Sequence, residues 1–529
     1  MPACYFDHPV VRAAAGVEPV YVYAIYMDGT TWSRVDGALG IWIRNLVTGK
    51  NRLATTLRKS EMCACGCRGW CTIYPIMLML HWSILGLARG YRPTHRHDGS
   101  PWSDSEEDWA IIAGDKLGWR AACLALKNDM MEFVTSFGFP SWGDASSPCP
   151  CCWATKQDWD EIAGISLLSL PWGEKTLQQY SAACTACEMW VKIPDAATHR
   201  ELKAALAYDK STDGGNKKDA RGRALLIDVP GLGLKAGDRL EPSPTLVDVA
   251  EFDRLPVGTP VLFWRRPSET ICRHRNPIFC EETGIVPNRV FYPDWLHDQG
   301  LGLFKFYLTT LFHRLVIVNA MGVSGRDASS RRQESANRIK DILFPWYETE
   351  EGRRFAPCYN FAADIFGTEE KHTLGAYGEE TLGLLCFSPV LLQRFGGALP
   401  AAERDNLERM GQGLIGMYRI TIDNMYMGPL PVGVAQAYCD HAKTVWQARR
   451  ALDMAFKPKY HRLAHTVKML LTHGSPYVWG CWRDETENKV FKKIAFAAHR
   501  SVWHKRILAT HRAGFGLRRK RKPLKRKSR

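Results

Sequence analysis

The order of the first strand-like and helix-like segments constrains the fold of this chain more than any other feature. Three strand-like runs, PVYVYAIYM, GALGIWIRNLVTG and RLATTLRKS, lie within residues 19–62 and are separated by turns rich in Gly, Asp and Asn. This pattern predicts an antiparallel meander. An apolar run at 72–88 then predicts a helix, and WRAACLALKND predicts a strand that is buried on both faces and ends at Asp129.

Three strands, a helix and an inner strand are the order of a ribonuclease-H-like α/β fold with a mixed sheet. In that fold the first and fourth strands are neighbours, so carboxylates at their ends converge at one edge of the sheet. Asp28 follows the first run in YAIYMDGTTW, and Asp129 follows the inner strand. Two interpretations of Asp28 stay open, because Asp-Gly is a strong hairpin signal and the same carboxylate can belong to a metal-binding cluster.

A third carboxylate is expected from a late helix, WRDETENKVFKKIAFAAHRSVWHKRI, which has three acids at its start. Asp484 suits the N-cap and Glu487 suits its capping-box partner, which leaves Glu485 to bind metal. Three carboxylates at one edge would hold two Mg²⁺ or Mn²⁺ ions for an in-line phosphodiester displacement. The predicted catalytic residues are Asp28, Asp129 and Glu485.

Two other acids compete for a functional role. Asp294 and His297 form a D-x-x-H pair before a long apolar helix, and the alternative is a helix-start acid beside a packed histidine. Asp228, in LLIDVPGLGLKAGD, is a strand-end acid and a rival for the catalytic set. The GxG of that segment is no nucleotide fingerprint, because no GxGxxG follows it and no helix opens there.

Cysteine spacing predicts structural zinc. Cys149 and Cys152 in PCPCC and Cys184 and Cys187 in CTAC form two C-x-x-C pairs separated by 31 residues, a spacing that suits a tetrahedral thiolate site. Cys151 is a competing ligand, and unligated core thiols are the alternative.

A second cysteine cluster, CACGCRGWC, contains Cys63, Cys65, Cys67 and Cys71. It is either a second zinc site completed by His95 or His97, or a buried cysteine cluster at a strand-to-helix corner. Neither cluster needs to be catalytic, because four thiolates leave no open position for water.

Positive charge is concentrated at the C-terminus. The chain has a net charge of +15, and residues 512–529 hold ten Lys and Arg residues and no acid, which leaves +5 for the rest. The tail LRRKRKPLKRKSR therefore predicts a disordered nuclear-localisation or polyanion-binding segment, with a solubilising terminus as the alternative. The nucleic-acid-binding candidates are Arg518, Arg519, Lys520, Arg521, Lys522, Lys525, Arg526 and Lys527.

The remaining organisation follows from composition and periodicity. The start of the chain lacks a secretory signal pattern, so we expect reduced cysteines. Pro75, His81 and Ser83 interrupt the 72–88 run, which favours a buried core helix over a membrane span. Strands are also expected at ALLIDV, TPVLFWRR and SPYVWGCW (475–482).

The chain is predicted to have six regions. They are 1–148, the first part of the core; 149–222, a Cys-rich zinc insertion and linker; 223–292, a β-rich segment; 293–472, a large helical insertion; 473–511, the last core strand and helix; and 512–529, the basic tail.

This order of motifs resembles the DDE/D transposases of eukaryotic cut-and-paste DNA elements, most nearly the CACTA-like and Kyakuja-Dileera-Zisupton-like groups. The shared features are an Asp-Gly after the first strand, an acid after the inner strand, a C-x-x-C beyond it, a D-x-x-H opening a helix, and a helical insertion before the last acid. The resemblance implies a transposon-derived nuclear protein with a ribonuclease-H-like core, Mg²⁺ or Mn²⁺, and cleavage and joining of DNA ends. It also implies DNA as partner, a homodimer or higher oligomer, and no membrane.

Two departures from that family stand out. Many such transposases carry a separate N-terminal DNA-binding module, whereas here the first core strand is expected near residue 19. The 224–292 β section is not one that we can place in the family core. A catalytically inactive, transposase-derived nuclear DNA-binding protein is therefore the alternative function. An RNA-directed nuclease on the same fold suits the carboxylates but suits the helical insertion less well.

Overall fold

The structure is a computed structural model that describes most of the chain. The described residues are 2–31, 36–62, 70–140, 142–143, 148–161, 164–192, 239–242, 260–266, 276–367, 374–426, 428–498 and 503–517. The chain divides into two units, which we describe separately. The sheet unit comprises residues 5–157, 172–291 and 483–529, and the helical unit comprises residues 1–4, 158–171 and 292–482.

A four-stranded mixed sheet forms the centre of the sheet unit. Its strands are β1 Val20–Thr31, β2 Gly37–Asn45, β3 Asn51–Arg58 and β4 Arg120–Lys127. The strand order is β3-β2-β1-β4, with β2 antiparallel to β1 and β3, and β4 parallel to β1. The predicted meander, the inner strand and the mixed α/β class are therefore confirmed.

The position of Asp28 within β1 differs from the prediction. The strand continues to Thr31, with Asp28 paired to Gly40 of β2 and Thr31 paired to Gly37. Asp28 and Gly29 are thus ladder residues, and the interpretation of Asp28-Gly29 as a hairpin turn is wrong. The following β-branched Thr30 and Thr31 favour extended backbone, which carries the strand past the Asp-Gly signal.

The parallel ladder between β1 and β4 changes register once. Tyr23 pairs with Cys123, but Ala24 pairs with Ala125, so Leu124 is the extra residue of a bulge. From that point onward the new register holds, and Tyr26 lies opposite Lys127.

Sixteen helices are described, numbered along the chain. They are α1 Ala3–Phe6, α2 Pro9–Ala14, α3 Trp70–Arg89, α4 Glu107–Ile111, α5 Met130–Ser136, α6 Leu177–Cys187, α7 Pro287–Val290, α8 Lys305–Ile317, α9 Ala328–Tyr347, α10 Gly378–Phe395, α11 Ala401–Asp423, α12 Val432–Ala451, α13 Pro458–His473, α14 Pro476–Trp479, α15 Trp482–Ala497 and α16 Trp503–Leu517. A π-helix spans Leu296–Phe304, and short 3₁₀ turns lie at Lys59–Glu61, Asp104–Glu106, Gly352–Arg354, Ala363–Phe366 and Gly396–Ala398.

Helix α3 covers β4, and its sequence explains why. Its buried residues recur at every third or fourth position, which places them on one face. They are Trp70, Ile73, Met77, Leu80, Ile84 and Ala88. The 72–88 run is accordingly a core helix, as predicted. Among the described residues, no helix has the length and apolar character needed to cross a membrane.

A second, three-stranded antiparallel sheet has the order β5-β7-β6. Its strands are β5 Glu188–Lys192, β6 Arg239–Pro242 and β7 Pro260–Arg266. The strand predicted from TPVLFWRR is confirmed as β7, whereas ALLIDV lies outside the described residues.

The helical unit is built from α8 to α14 and the π-helix, with Trp295, Tyr307 and Trp446 among its fully buried side chains. The strand predicted from SPYVWGCW is wrong, since that segment forms α14 and the start of α15. Pro476 occupies the first turn of α14, where its missing N–H is no loss and its fixed φ favours a helix.

Candidate functional site

Asp28 and Asp129 lie at the same end of the four-stranded sheet. The register places Tyr26 opposite Lys127, and each acid comes two residues further along its own chain. Asp129 has extended backbone and is the N-cap of α5, where its Oδ1 accepts a hydrogen bond from the Glu132 N–H at 2.7 Å. Both acids are partly exposed. The structure therefore brings the first two predicted acids to one edge.

Glu132, which the sequence analysis missed, is a third carboxylate at this edge. Burial raises its pKa to about 7, and the nearby charges of Asp28 and Asp129 add to that rise. A hydrogen bond from Ser136 and the charge of Lys59 oppose it. A carboxyl group with two carboxylate neighbours is poorly stabilised as an anion, so Glu132 favours its protonated form.

Helix α15 packs across the sheet and reaches the same edge through Asn488. The Asn488 side chain is buried, and its Nδ2 donates a hydrogen bond to Asp28 Oδ2 at 2.5 Å. The Tyr26 hydroxyl donates to the same oxygen at 2.7 Å. Glu485, the predicted third acid, lies one turn before Asn488 and is half-buried. The helix is thus placed as expected, but the α15 side chain that contacts Asp28 is Asn488.

Asp484 does not cap a helix, which corrects the predicted capping box with Glu487. Helix α15 begins at Trp482, so Asp484 already lies inside it. Its buried carboxylate accepts hydrogen bonds from Lys127 Nζ at 2.5 Å, Arg44 at 2.9 Å and Asn51 at 3.0 Å. Glu485 was assigned to the metal because Asp484 and Glu487 were expected to cap the helix, and that reason is lost. Glu485 still lies in the first turn of α15.

The D-x-x-H pair has the contacts of a structural helix start. Asp294 is buried and accepts hydrogen bonds from the backbone N–H groups of Leu296, His297 and Cys481, and it pairs with the His297 ring. Burial would raise the pKa of Asp294, but the His297 charge and these hydrogen bonds lower it overall. The carboxylate is satisfied by its own helix start and by the Cys481 N–H, which favours the alternative of a helix-start acid with a packed histidine.

A cluster of metal-ligating side chains contains the first predicted C-x-x-C pair. Cys149, Cys152, His461 and His465 are all buried, and one ligand atom from each lies within 4.8 Å of the others. Two thiolates and two imidazoles are a tetrahedral donor set, so this cluster can bind a metal ion such as zinc. The competing ligand Cys151 directs its sulfur to the Pro287 carbonyl oxygen at 3.9 Å and is not a member.

The two histidines are oriented for ligation by α13. They are four residues apart on one face of the helix, and their Nε2 atoms are 3.2 Å from each other. His461 Nδ1 lies 3.3 Å from the Trp159 carbonyl oxygen, a contact that places the proton on Nδ1 and leaves Nε2 as the ligand atom. Burial raises the pKa of Cys152 strongly, so a bound cation is needed to make it a thiolate.

Several predicted residues cannot be compared with the structure. Asp228 and the tail from Arg518 to Lys527 lie outside the described residues, as do Cys63, Cys65 and Cys67, and so do the side chains of Cys71, Cys184 and Cys187. Near the proposed second zinc site, His97 packs its ring against Trp82, and the His95 backbone carbonyl accepts a hydrogen bond from the Trp82 indole. The Cys63–Cys71 zinc site remains a prediction.

The residues missed by sequence reasoning had weak local signals. Histidines spaced four apart in YHRLAHTVK are a helical metal-ligand spacing, but their cysteine partners are some 300 residues away in the chain. Glu132 comes three residues after Asp129, which is the spacing of a capping box. That spacing would have predicted that the Glu132 side chain lies beside Asp129. Comparison with known proteins identifies no matching protein family and no detectably similar curated protein.

Proposed function

We propose that this protein is a transposon-derived, transposase-like enzyme that cleaves and joins DNA strands with the help of divalent metal ions. One observation carries the proposal. Asp28 and Asp129 come from two adjacent parallel strands and meet at one sheet edge, where Glu132 also lies and where α15 reaches Asp28. Clustered carboxylates of this kind are the usual ligands of Mg²⁺ and Mn²⁺.

The strand order supports a ribonuclease-H-like core for this enzyme. Three antiparallel strands followed by a parallel fourth strand beside the first, with a late helix across the sheet, is the arrangement expected of that fold. The helical unit then corresponds to the insertion that precedes the last acid.

In the proposed reaction, water or a DNA 3′-hydroxyl attacks a phosphodiester in line with the leaving 3′-oxygen. A new P–O bond forms as the old one breaks, the attacking oxygen loses its proton to solvent, and the leaving 3′-oxygen takes up a proton from solvent. Bound Mg²⁺ or Mn²⁺ would activate the attacking oxygen and stabilise the leaving one. Asp28, Asp129 and Glu485 would hold the ions. The chain itself orients two of these ligands, since Tyr26 and Asn488 fix Asp28 and the α5 N-terminus fixes Asp129.

Zinc has a separate, structural role in this proposal. Cys149, Cys152, His461 and His465 complete a four-ligand set, which leaves no open position for chemistry. We expect purified protein to contain about one zinc per chain at this site, measured by elemental analysis. A Cys152→Ser variant should lose that ion, whereas Cys123→Ser, a buried thiol outside the cluster, should keep it. Equal zinc in both variants would contradict the assignment.

The basic tail gives this enzyme its expected partner and location. Ten cationic residues at 512–529 would bind DNA by releasing counterions from phosphates, so affinity should fall steeply as salt rises. A nuclear location and a homodimer or higher oligomer follow as parts of the same proposal.

The decisive experiment compares wild type with Asp129→Asn in a plasmid-nicking assay with Mn²⁺. Asn is also a good N-cap, so α5 stays capped while the metal-binding charge is lost. We expect nicking to fall at least about 1,000-fold, on the order of 4 kcal/mol in transition-state stabilisation, with DNA binding unchanged in a mobility-shift assay. Asp7→Asn, an exposed acid, is the matched control.

The same assay also tests the alternative function, a catalytically inactive DNA-binding protein. If neither wild type nor Asp129→Asn nicks DNA, and both bind it in a salt-dependent manner, the protein is the inactive DNA-binding derivative. If the two proteins nick equally well, the carboxylate edge is not the active site.

A further inference from the structure

We propose that Asn488 is a further residue of the metal site, holding Asp28 with its amide nitrogen and offering its amide oxygen to the ion or to water bound to it. The inference rests on the proposed function and adds a residue that the carboxylate pattern does not contain. Its basis is a pair of observations on the buried Asn488 amide beside Asp28.

The orientation of the Asn488 amide follows from its neighbour. A carboxylate only accepts hydrogen bonds, so the group that faces Asp28 Oδ2 at 2.5 Å must be the amide nitrogen, Nδ2. The amide oxygen, Oδ1, is therefore the atom of this amide that remains to bind another group. The side chain is only 8% exposed, and Oδ1 has no hydrogen-bond partner within the described part of the chain.

A buried carbonyl oxygen without a partner is costly, and native structures contain few of them. Beside Asp28 and its neighbouring acids, the partner that best satisfies this oxygen is a hard cation or a water molecule bound to it. Amide oxygens are regular ligands of such cations, together with carboxylates. The orphaned oxygen and the crowded acids thus indicate the same ligand by independent routes.

Helix α15 holds Asn488 in place from both sides. One turn earlier, Asp484 is bonded to Lys127 and Arg44 of the sheet, and about one turn later the Phe491 ring packs edge-on against Trp42 at 5.3 Å. These contacts fix the rotation of the helix over the sheet. The Asn488 amide is therefore preorganised, and no helix movement is needed to place it at Asp28.

The test measures Mn²⁺ binding directly, from the free-ion electron paramagnetic resonance signal, on the full-length protein without DNA. We expect Asn488→Leu, which keeps the side-chain volume but has no oxygen, to weaken Mn²⁺ binding by at least about tenfold. Asn488→Asp should retain binding, because a carboxylate oxygen stands in the same place. Thr486→Ala, exposed on the same helix, is the control and should bind as wild type does.

The outcomes separate this inference from the proposed function. Weak binding in Asp28→Asn together with wild-type binding in Asn488→Leu overturns the role of Asn488 and leaves the carboxylate site standing. An absence of Mn²⁺ binding by wild type at millimolar concentration overturns both. If Asn488→Leu does not fold, judged by circular dichroism, Asn488→Ser decides, and wild-type binding by that shorter side chain overturns the inference.

Discussion

Asp484 on α15 and the three acids near the end of β1 (Asp28, Asp129 and Glu132) have opposite surroundings. Asp484 is fully buried and receives hydrogen bonds from Lys127, Arg44 and Asn51. At the end of the sheet beside Asp28, by contrast, burial and the charges of Asp28 and Asp129 raise the pKa of Glu132, with Lys59 opposing them.

This comparison distinguishes a carboxylate that the protein itself neutralises from the carboxylates of the proposed metal site. Around Asp484 the protein supplies more positive than negative charge, so the anion is stabilised without any ligand. Around Asp28 negative charge is in excess, as the proposed metal site requires. The local charge balance, rather than burial or position on a helix, separates the two roles.

The largest expected effect comes from removing the charge of Asp484. Asp484→Asn leaves Lys127 and Arg44 buried without a counter-charge, which should lower the free energy of unfolding by about 3–5 kcal/mol. Urea denaturation followed by circular dichroism measures this change. A loss no greater than that of an exposed Asp→Asn substitution would show that the Asp484 network is not structural.

An opposite sign is expected for Glu132→Gln. The folded-state pKa of Glu132 is raised to about 7, so the stability that its protonated form gives is lost as pH rises from about 4.5 through 7. At pH 8 in EDTA, Gln should therefore raise the free energy of unfolding by about 2 kcal/mol.

The pH dependence provides the check on that prediction. Wild type should lose stability relative to Glu132→Gln between pH 4.5 and pH 7, and the difference should stay constant above pH 8. A variant that is less stable than wild type at pH 8 without metal would contradict the account of crowded acids at this edge.

The smallest effect is expected at an exposed ion pair of the same unit. Asp7 contacts Arg12 at 2.6 Å, but both side chains are about 70% exposed. Asp7→Asn should change the free energy of unfolding by less than about 1 kcal/mol, because exposed ion pairs gain little in water. The same denaturation series measures it. If Asp7→Asn lowered the free energy of unfolding as much as Asp484→Asn does, burial would not explain the stabilising effect of Asp484.

Local sequence patterns predicted the parts of this molecule that depend on nearby residues. The β1 to β4 segments follow from alternation and apolar runs, and because parallel neighbours end together, the meeting of Asp28 with Asp129 follows as well. The β1 boundary was missed, since Asp-Gly at a strand end is a turn signal only when the next residues do not continue the ladder.

The remaining parts depend on contacts between distant residues. Asp484 looks like a helix cap until Arg44, 440 residues earlier in the chain, is seen to pair with it. The Cys149 and Cys152 pair was recognised, but its histidine ligands on α13 were not, because nothing in the local sequence indicates which of the sixteen histidines lies near. Ion pairs and ligand sets of this kind depend on the tertiary fold, and the spacing of residues along the chain does not reveal them.

The bulge at Leu124 has a consequence for how this protein can evolve. Side chains alternate between the two faces of a sheet, so counting one residue more or less along β4 exchanges the face on which every later side chain lies. With the bulge, Asp129 is in phase with Asp28; if every residue of β4 paired in one unbroken register, Asn128 would take that position. Deletion of Leu124 itself would therefore leave Asp129 level with Asp28, whereas a one-residue deletion after the bulge, with the bulge kept, would move Asp129 out of that position.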